Sequence, residues 1–325
     1  MIEHHLQIFH CLEAVHNGSG EEIGIADRAV IRDPTTRWPC FIGDSLKGSF
    51  KAQLRRGNAM IESTPAFQAA FGKGETDGFQ GSLSFTKAGL LALPVPSLAG
   101  TFGWVTCTLA LARFAMHCDL AGLDSKPITS LLNVISDPSD GTCHVTSHGT
   151  DDASMNPLQI EPGSTLRHLA NLVVEAEVSS DLREASAFLS AVIFPDDSNT
   201  YWRTFFTDRL VVLSQSQFTR LAYRGLPVHA NIQILDTGVT QAGSLRYTET
   251  VPAESILTGL LTTQKPYHPS VNSDDTLKVY SKLFNGEPRR AIGFVGADRT
   301  KGRGMVRVIW PNAGRSTIAG GTHAR

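Results

Sequence analysis

His16-Asn17-Gly18-Ser19-Gly20, Gly24-Ile25-Ala26-Asp27 and Pro39-Cys40-Phe41-Ile42-Gly43-Asp44-Ser45-Leu46-Lys47-Gly48-Ser49-Phe50-Lys51 decide how this chain folds. An alternating segment, His4 to Ala14, leads into the first of these runs and reads as a half-buried strand. The strand therefore opens into a glycine-bearing loop that carries a histidine and an acid. A second short loop enters a helix whose first turn holds Ser45 and Lys47. Glycine lets backbone N–H groups come close to a phosphate, and a helix N-terminus with a nearby lysine favours an anion.

Working outward, Asp44 or Ser45 can cap that helix, which is predicted to run to about Met60. Leu46, Phe50 and Leu54 form one stripe, and Lys47, Lys51 and Arg55 form another about 100° away. The basic stripe is either a solvated face or a polyanion contact. Downstream, strands are predicted at Ser82–Leu91, Leu93–Leu98 and Gly100–Cys107, with an apolar helix over Thr108–Leu120 closed by Gly122. Residues 124–159 lack periodicity and read as a long loop insertion.

A strand over Ser164–Glu177, a helix over Ser180–Phe194, a short aromatic helix near Tyr201, a strand at Arg209–Leu213 and a helix over Gln215–Tyr223 follow. Val228–Leu235 and Ser244–Val251 flank a Gly-rich connection and read as a hairpin. Helices are predicted around Glu254–Leu261 and Asp274–Phe284, then strands at Arg290–Val295 and Met305–Trp310. The element order predicts an α+β fold in one domain over 1–325. Its core is a ferredoxin-like, RRM-like palm, a four-stranded antiparallel sheet with helices on one face.

Composition narrows the function classes. At 325 residues with 41% apolar and 18% charged side chains, the chain is ordinary for a globular protein. A formal charge of -2 means that nucleic-acid binding must come from a local basic patch. The start Met1-Ile2-Glu3-His4-His5 lacks the features of a signal peptide, and no apolar run approaches the ~20 residues that span a bilayer. Five cysteines without a CxxC pair point to reduced thiols in a cytoplasmic protein. Cys143, His144 and His148, or Cys107, His117 and Cys118, lack zinc-finger spacing.

Near the end, Arg299, Lys301 and Arg303 sit among glycines between two strands, an arrangement that suits a polyanion or simply a charged solvated turn. Asp27 is either a turn former or a chemical acid. Tyr247 and Glu249 are two apart and share a strand face.

Six segments in order resemble the RAMP superfamily of CRISPR RNA-binding proteins. They are the first glycine loop with Asp27, Asp44-Ser45-Leu46-Lys47-Gly48, Gly81-Ser82-Leu83-Ser84-Phe85-Thr86, Leu93–Leu98 with Trp104–Cys107, Tyr247–Pro252, and Gly302-Arg303-Gly304. The likeness is nearest to the repeating backbone subunit of type III-B (Cmr) effector complexes. Arg28-Ala29 stands where the family usually has Leu-Pro. The resemblance implies a subunit that forms a filament with its own copies on crRNA, beside other Cmr subunits including a large Cas10-type and a small one.

It implies that the 228–251 hairpin is a thumb, and that complementary target RNA is cut at regular intervals by metal-dependent 2′-hydroxyl attack. Asp27 would carry the catalysis and meet Mg²⁺ or Mn²⁺, with His16, Tyr247 and Glu249 in support. Gly18, Ser19, Ser45, Lys47, Lys51, Arg55, Arg299, Lys301 and Arg303 would contact RNA. A catalytically inactive RNA coat and the type III-A backbone subunit are the alternatives.

Overall fold

The computed structural model describes residues 2–20, 26–74, 78–146, 156–196, 199–284 and 290–311. Its first strand, β1 (Glu3–Cys11), is buried on both faces over its second half rather than on one. Phe9 packs against Phe41 and Phe50 on one side, while His10 meets Phe194 and Trp202 on the other. Each of the two polar residues this encloses has a partner: the Tyr280 hydroxyl donates to Gln7 at 2.5 Å, and His10 Nε2 pairs with Glu254 at 2.6 Å, while His10 Nδ1 is buried without a partner among the described residues.

After β2 (Cys40–Phe41) comes α1 (Gly43–Gly57), which buries Leu46, Phe50 and Leu54 as their spacing predicts. Each such burial contributes about 1.5–3 kcal/mol. The helix starts two or three residues earlier than expected. Ile42 occupies the cap without a side-chain bond, and Asp44 lies in the first turn, where its charge complements the helix dipole. Only glycine fits at 43, because a Cβ there would lie 2.0 Å from the Phe85 carbonyl oxygen.

The chain continues through α2 (Pro65–Phe71), β3 (Leu83–Phe85), β4 (Ala88–Pro96), β5 (Phe102–Thr106), α3 (Thr108–Leu120), α4 (Lys126–Val134) and β6 (Thr142–Thr146). Next are β7 (Leu166–Leu169), β8 (Leu172–Ser179), α5 (Ser180–Ile193), α6 (Thr200–Thr207), β9 (Leu210–Leu213) and α7 (Gln215–Arg224). The last elements are β10 (Val228–Asn231), β11 (Arg246–Glu249), β12 (Ile256–Thr263), α8 (Ser273–Ser281), β13 (Arg290–Phe294) and β14 (Met305–Ile309).

The fold is α+β, with a sheet larger than the expected four strands. Twelve strands join it in the order β13-β14-β1-β12-β4-β5-β9-β6-β8-β7, with β2 on β4 and β3 on β12. Its centre, β14-β1-β12-β4, is antiparallel throughout and compatible with a ferredoxin-like palm. Two pairs farther out, β5–β9 and β6–β8, are parallel.

Three expectations change. The stretch read as a helix near Glu254 is β12, paired with β1 from Glu3↔Thr263 to His10↔Ile256. A short, largely apolar run fits either element by pattern, and the β-branched Ile256, Thr258 and Thr262 favour the strand once two neighbours bury both faces. The 124–159 stretch contains α4 and β6, whose Ile128, Leu131, Cys143 and Val145 are buried; residues 147–155 lie outside the described ones. β6 is too short for a periodic signal, but Ile128, Leu131, Leu132 and Ile135 stand at i, i+3, i+4 and i+7, a helical pattern inside a stretch read as lacking one. The strand read over 164–177 is two, β7 and β8, because Ala170 takes a left-handed conformation at φ +54° and turns the chain.

Strands β10 and β11 form a separate hairpin in register Val228↔Glu249 to Asn231↔Arg246. Among the described residues, no helix is long and apolar enough to cross a membrane.

Candidate functional site

Four backbone segments are sewn together at one end of the central strands. Val15 and Val251 exchange N–H···O bonds at 2.8 Å in both directions, and Ala297 donates to the His16 carbonyl at 2.9 Å. Gly18 bridges Val30, and Arg28 donates its N–H to the Tyr247 carbonyl at 3.1 Å. The first loop, the Asp27 segment, β11 and the terminal loop thereby converge. Gly296 allows the closest approach: its φ is +80°, and a Cβ would lie 2.3 Å from the His16 carbonyl oxygen.

This convergence brings His16, Asp27, Tyr247 and Glu249 together, in two different environments. Asp27 is exposed, and its Oδ2 accepts the Tyr247 N–H at 2.6 Å. No hydrogen bond reaches its Oδ1 from the described residues. The Tyr247 ring is also exposed to solvent. Glu249 is buried, and both its oxygens are engaged, Oε1 by Arg32 at 2.5 Å and Oε2 by the Val30 N–H at 3.0 Å. Arg32 is held in turn by the Ala222 and Tyr223 carbonyls and lies over the Tyr223 ring.

His16 is buried too. Its Nδ1 lies 2.8 Å from the Glu249 carbonyl oxygen, which can only accept, so Nδ1 carries the proton and the neutral ring has a bare Nε2. Desolvation is the main influence on this ring and lowers its pKa, against the opposing pull of the Glu249 carbonyl.

The terminal loop gathers charge around one carboxylate. Asp298 Oδ2 accepts from Arg28 and from Arg303, both at 3.0 Å, and Lys301 Nζ lies 3.8 Å from Oδ1. Burial alone would raise the Asp298 pKa, but the Arg28 hydrogen bond and the three cations outweigh it and hold the carboxyl below its usual range. Arg303 is largely covered, Arg299 stacks on Phe294 at 3.8 Å, and Lys301 projects into solvent.

On α1, Ser45, Lys47 and Lys51 are half-buried. Lys47 has its pKa lowered, first by desolvation and then by Lys51. Arg55 is exposed but pairs with Glu62 at 2.8 Å. These residues form a region of their own, linked to the first loop through β2: Asn17 donates to the Cys40 carbonyl at 3.3 Å. Ser19 is tied to Ala29, its N–H donating at 2.9 Å, and Gly18 beside it is exposed.

Sequence reading missed three contributors. Arg28 lacked a visible partner until the fold brought Asp298 beside it, 270 residues away. Arg246 and Asn231 line a groove of about 290 Å³ with Arg28 and Lys301, between the β10–β11 hairpin and the Asp27 segment. Alternation along β11 marked Tyr247 and Glu249 alone.

Among the described residues, no three His, Cys, Asp or Glu side chains gather to hold a metal ion; Glu21 and Glu22 lie outside those residues. Asp27 offers one open carboxylate oxygen. That suits a hydrated Mg²⁺ or Mn²⁺ completed by phosphate oxygens, and it is too little for a site built by this chain alone.

A profile of the RAMP superfamily matches residues 8–307. The chain is 25% identical over 319 residues to the CRISPR system Cmr endoribonuclease Cmr4 of Pyrococcus furiosus, with 97% of each chain covered. Among solved structures it resembles oligomeric Cmr4 from Pyrococcus furiosus, with a TM-score of 0.65 and 18% identity over 94% of this chain and 97% of that one. It also resembles a chain of the type III-B Cmr-beta complex bound to cognate target RNA, with a TM-score of 0.69 and 18% identity over 95% and 97% of the two chains. These structural likenesses show a shared fold.

Proposed function

The chain belongs to the RAMP superfamily, and from that premise we propose that it is the crRNA-binding backbone subunit of a type III-B CRISPR effector, cleaving target RNA paired to the guide. The observation that carries this reading is Asp27: an exposed carboxylate, fixed at one oxygen by the Tyr247 N–H, beside a groove lined by cations. The near full-length likeness to a protein named as a Cmr endoribonuclease supports it.

Guide binding would rest on phosphate contacts from Lys47, Lys51, Lys301 and the exposed Gly18 backbone, which carry no sequence information and leave recognition to base pairing. The hairpin would act as a thumb. Ile232, Ile234, Val239 and Leu245 are exposed on it, which suits a wedge that unstacks a base step. Copies of the chain would repeat along the guide, with other Cmr subunits at the ends or flank.

At each splayed target nucleotide, the 2′-hydroxyl oxygen would attack the adjacent phosphorus. A 2′-O–P bond forms as the P–O5′ bond breaks, leaving a 2′,3′-cyclic phosphate and a 5′-hydroxyl. The hydroxyl proton passes to water and the 5′ oxygen gains one from water. Asp27 Oδ1 would accept the hydroxyl's hydrogen bond and hold it in line, while Tyr247 N–H keeps the carboxylate oriented. A hydrated Mg²⁺ or Mn²⁺, held by Asp27 with target phosphates, would supply charge neutralisation. Glu249, with both oxygens engaged, would position β11, and His16 would brace the loop through the Glu249 carbonyl.

The test is Asp27→Ala in the reconstituted complex, with target binding and cutting followed separately, with and without Mg²⁺ or Mn²⁺. Binding should persist and cutting should fall by about 10²–10⁴-fold. Cutting at the wild-type rate would overturn the assignment. Wild type that binds guide and never cuts would leave an inactive coat.

A further inference from the structure

Arg28, Lys301 and Arg303 share the single carboxylate of Asp298, so two positive charges remain uncompensated within that cluster. Arg246 adds a third. It is exposed, forms no ion pair among the described residues, and directly precedes the residue whose N–H fixes Asp27. Arg28 directly follows Asp27 in the chain. The groove of about 290 Å³ that Arg28, Arg246 and Lys301 line is otherwise walled mainly by neutral polar groups, including Asn231, Gln233 and Thr248. Among the described residues, no carboxylate lines it. Its size is near the lower end for small-ligand sites.

Surplus positive charge beside a reacting group is what a phosphodiester needs. Negative charge grows on the phosphoryl oxygens as the fifth bond to phosphorus forms, and guanidinium groups stabilise it by charge-assisted hydrogen bonds. Arg28 is anchored in this role rather than free, because its bond to Asp298 ties the Asp27 segment to the terminal loop. Arg28 therefore has a local counterpart, the Asp298 carboxylate.

Resting on the cleavage reading above, we propose that this groove seats a target-RNA phosphate next to the cut, with Arg246 as its direct ligand, Lys301 as a second cation and Arg28 as the positioning residue. Arg246 thus acts on the rate of cutting more than on the affinity for target.

The experiment uses the reconstituted guide-loaded complex in single-turnover cutting, with target affinity measured in parallel. Arg246→Ala should slow cutting roughly 100-fold with little loss of target affinity, and Arg246→Lys should recover part of the rate. A target carrying one neutral methylphosphonate at a linkage flanking the cut should slow the wild type, and at one of the two flanks it should add nothing in Arg246→Ala. Arg246→Ala cutting at the wild-type rate, or slowing that multiplies fully with the neutral linkage at both flanks, overturns the phosphate seat. So does an affinity loss as large as the rate loss. If Asp27→Ala still cuts normally, the cleavage reading itself falls; if Asp27→Ala is dead while Arg246→Ala is normal, only the groove proposal falls.

Discussion

The two ends of β11 present carboxylates in opposite circumstances. Glu249, at the inner end, is closed in by Arg32 and the Val30 N–H, with His16 on its carbonyl. Asp27, beside Tyr247 near the outer end, keeps one oxygen without a hydrogen bond from the described residues and is followed in the chain by Arg28, which lines a cationic groove. Both acids are held against the same strand, and burial separates their roles. A carboxylate whose lone pairs are spent on fixed donors holds structure, whereas one with an open oxygen near positive charge can meet a substrate.

The strongest way to break this contrast is to remove each acid in turn and measure folding stability. Glu249→Ala leaves Arg32 without its carboxylate, and its side chain is only 7% exposed. The expected loss is about 3–5 kcal/mol, seen as a lower urea midpoint. Asp27→Ala should change stability by no more than about 0.5 kcal/mol. Equal losses would mean that the two acids are not divided between structure and chemistry.

A smaller effect separates α1 from the site. Lys47→Ala with Lys51→Ala should weaken guide binding alike for unrelated sequences and reduce the salt slope by roughly one unit for each lost phosphate contact. Cutting of already bound target should be unchanged, in contrast to Arg246→Ala. A sequence-selective loss would show that these lysines read bases.

The smallest effect concerns pH. Desolvation lowers the pKa of His16 in the folded protein, so the unfolded chain binds more protons below its ordinary value of 6.5. The stability this residue contributes is present above pH 6.5 and is lost as pH falls through the window below it. His5 and His117 are shifted the same way by burial. Urea midpoints measured from pH 7.5 to 5.5 should fall, and His16→Asn should make the decline shallower. An unchanged slope would place the His16 ring in solvent.

The sequence determined much by itself where a pattern is local. The Leu46, Phe50 and Leu54 stripe set α1's buried face, because helical periodicity repeats within a few residues, and the apolar run Thr108–Leu120 closed by Gly122 set the bounds of α3. Turn chemistry marked the β10–β11 hairpin, and the order of motifs carried the family resemblance. Only the tertiary structure made Ile256–Thr263 a strand, since β1 and β4 supply the partners that a short apolar run needs. It alone paired Arg55 with Glu62, withdrew Arg303 to Asp298, and set Arg28 and Arg246 around one groove. Charges can be counted along a chain, but whether a charge is spent or available depends on which neighbours folding sets against it, whether a few residues away, as with Arg303 and Asp298, or 270 away, as with Arg28 and Asp298.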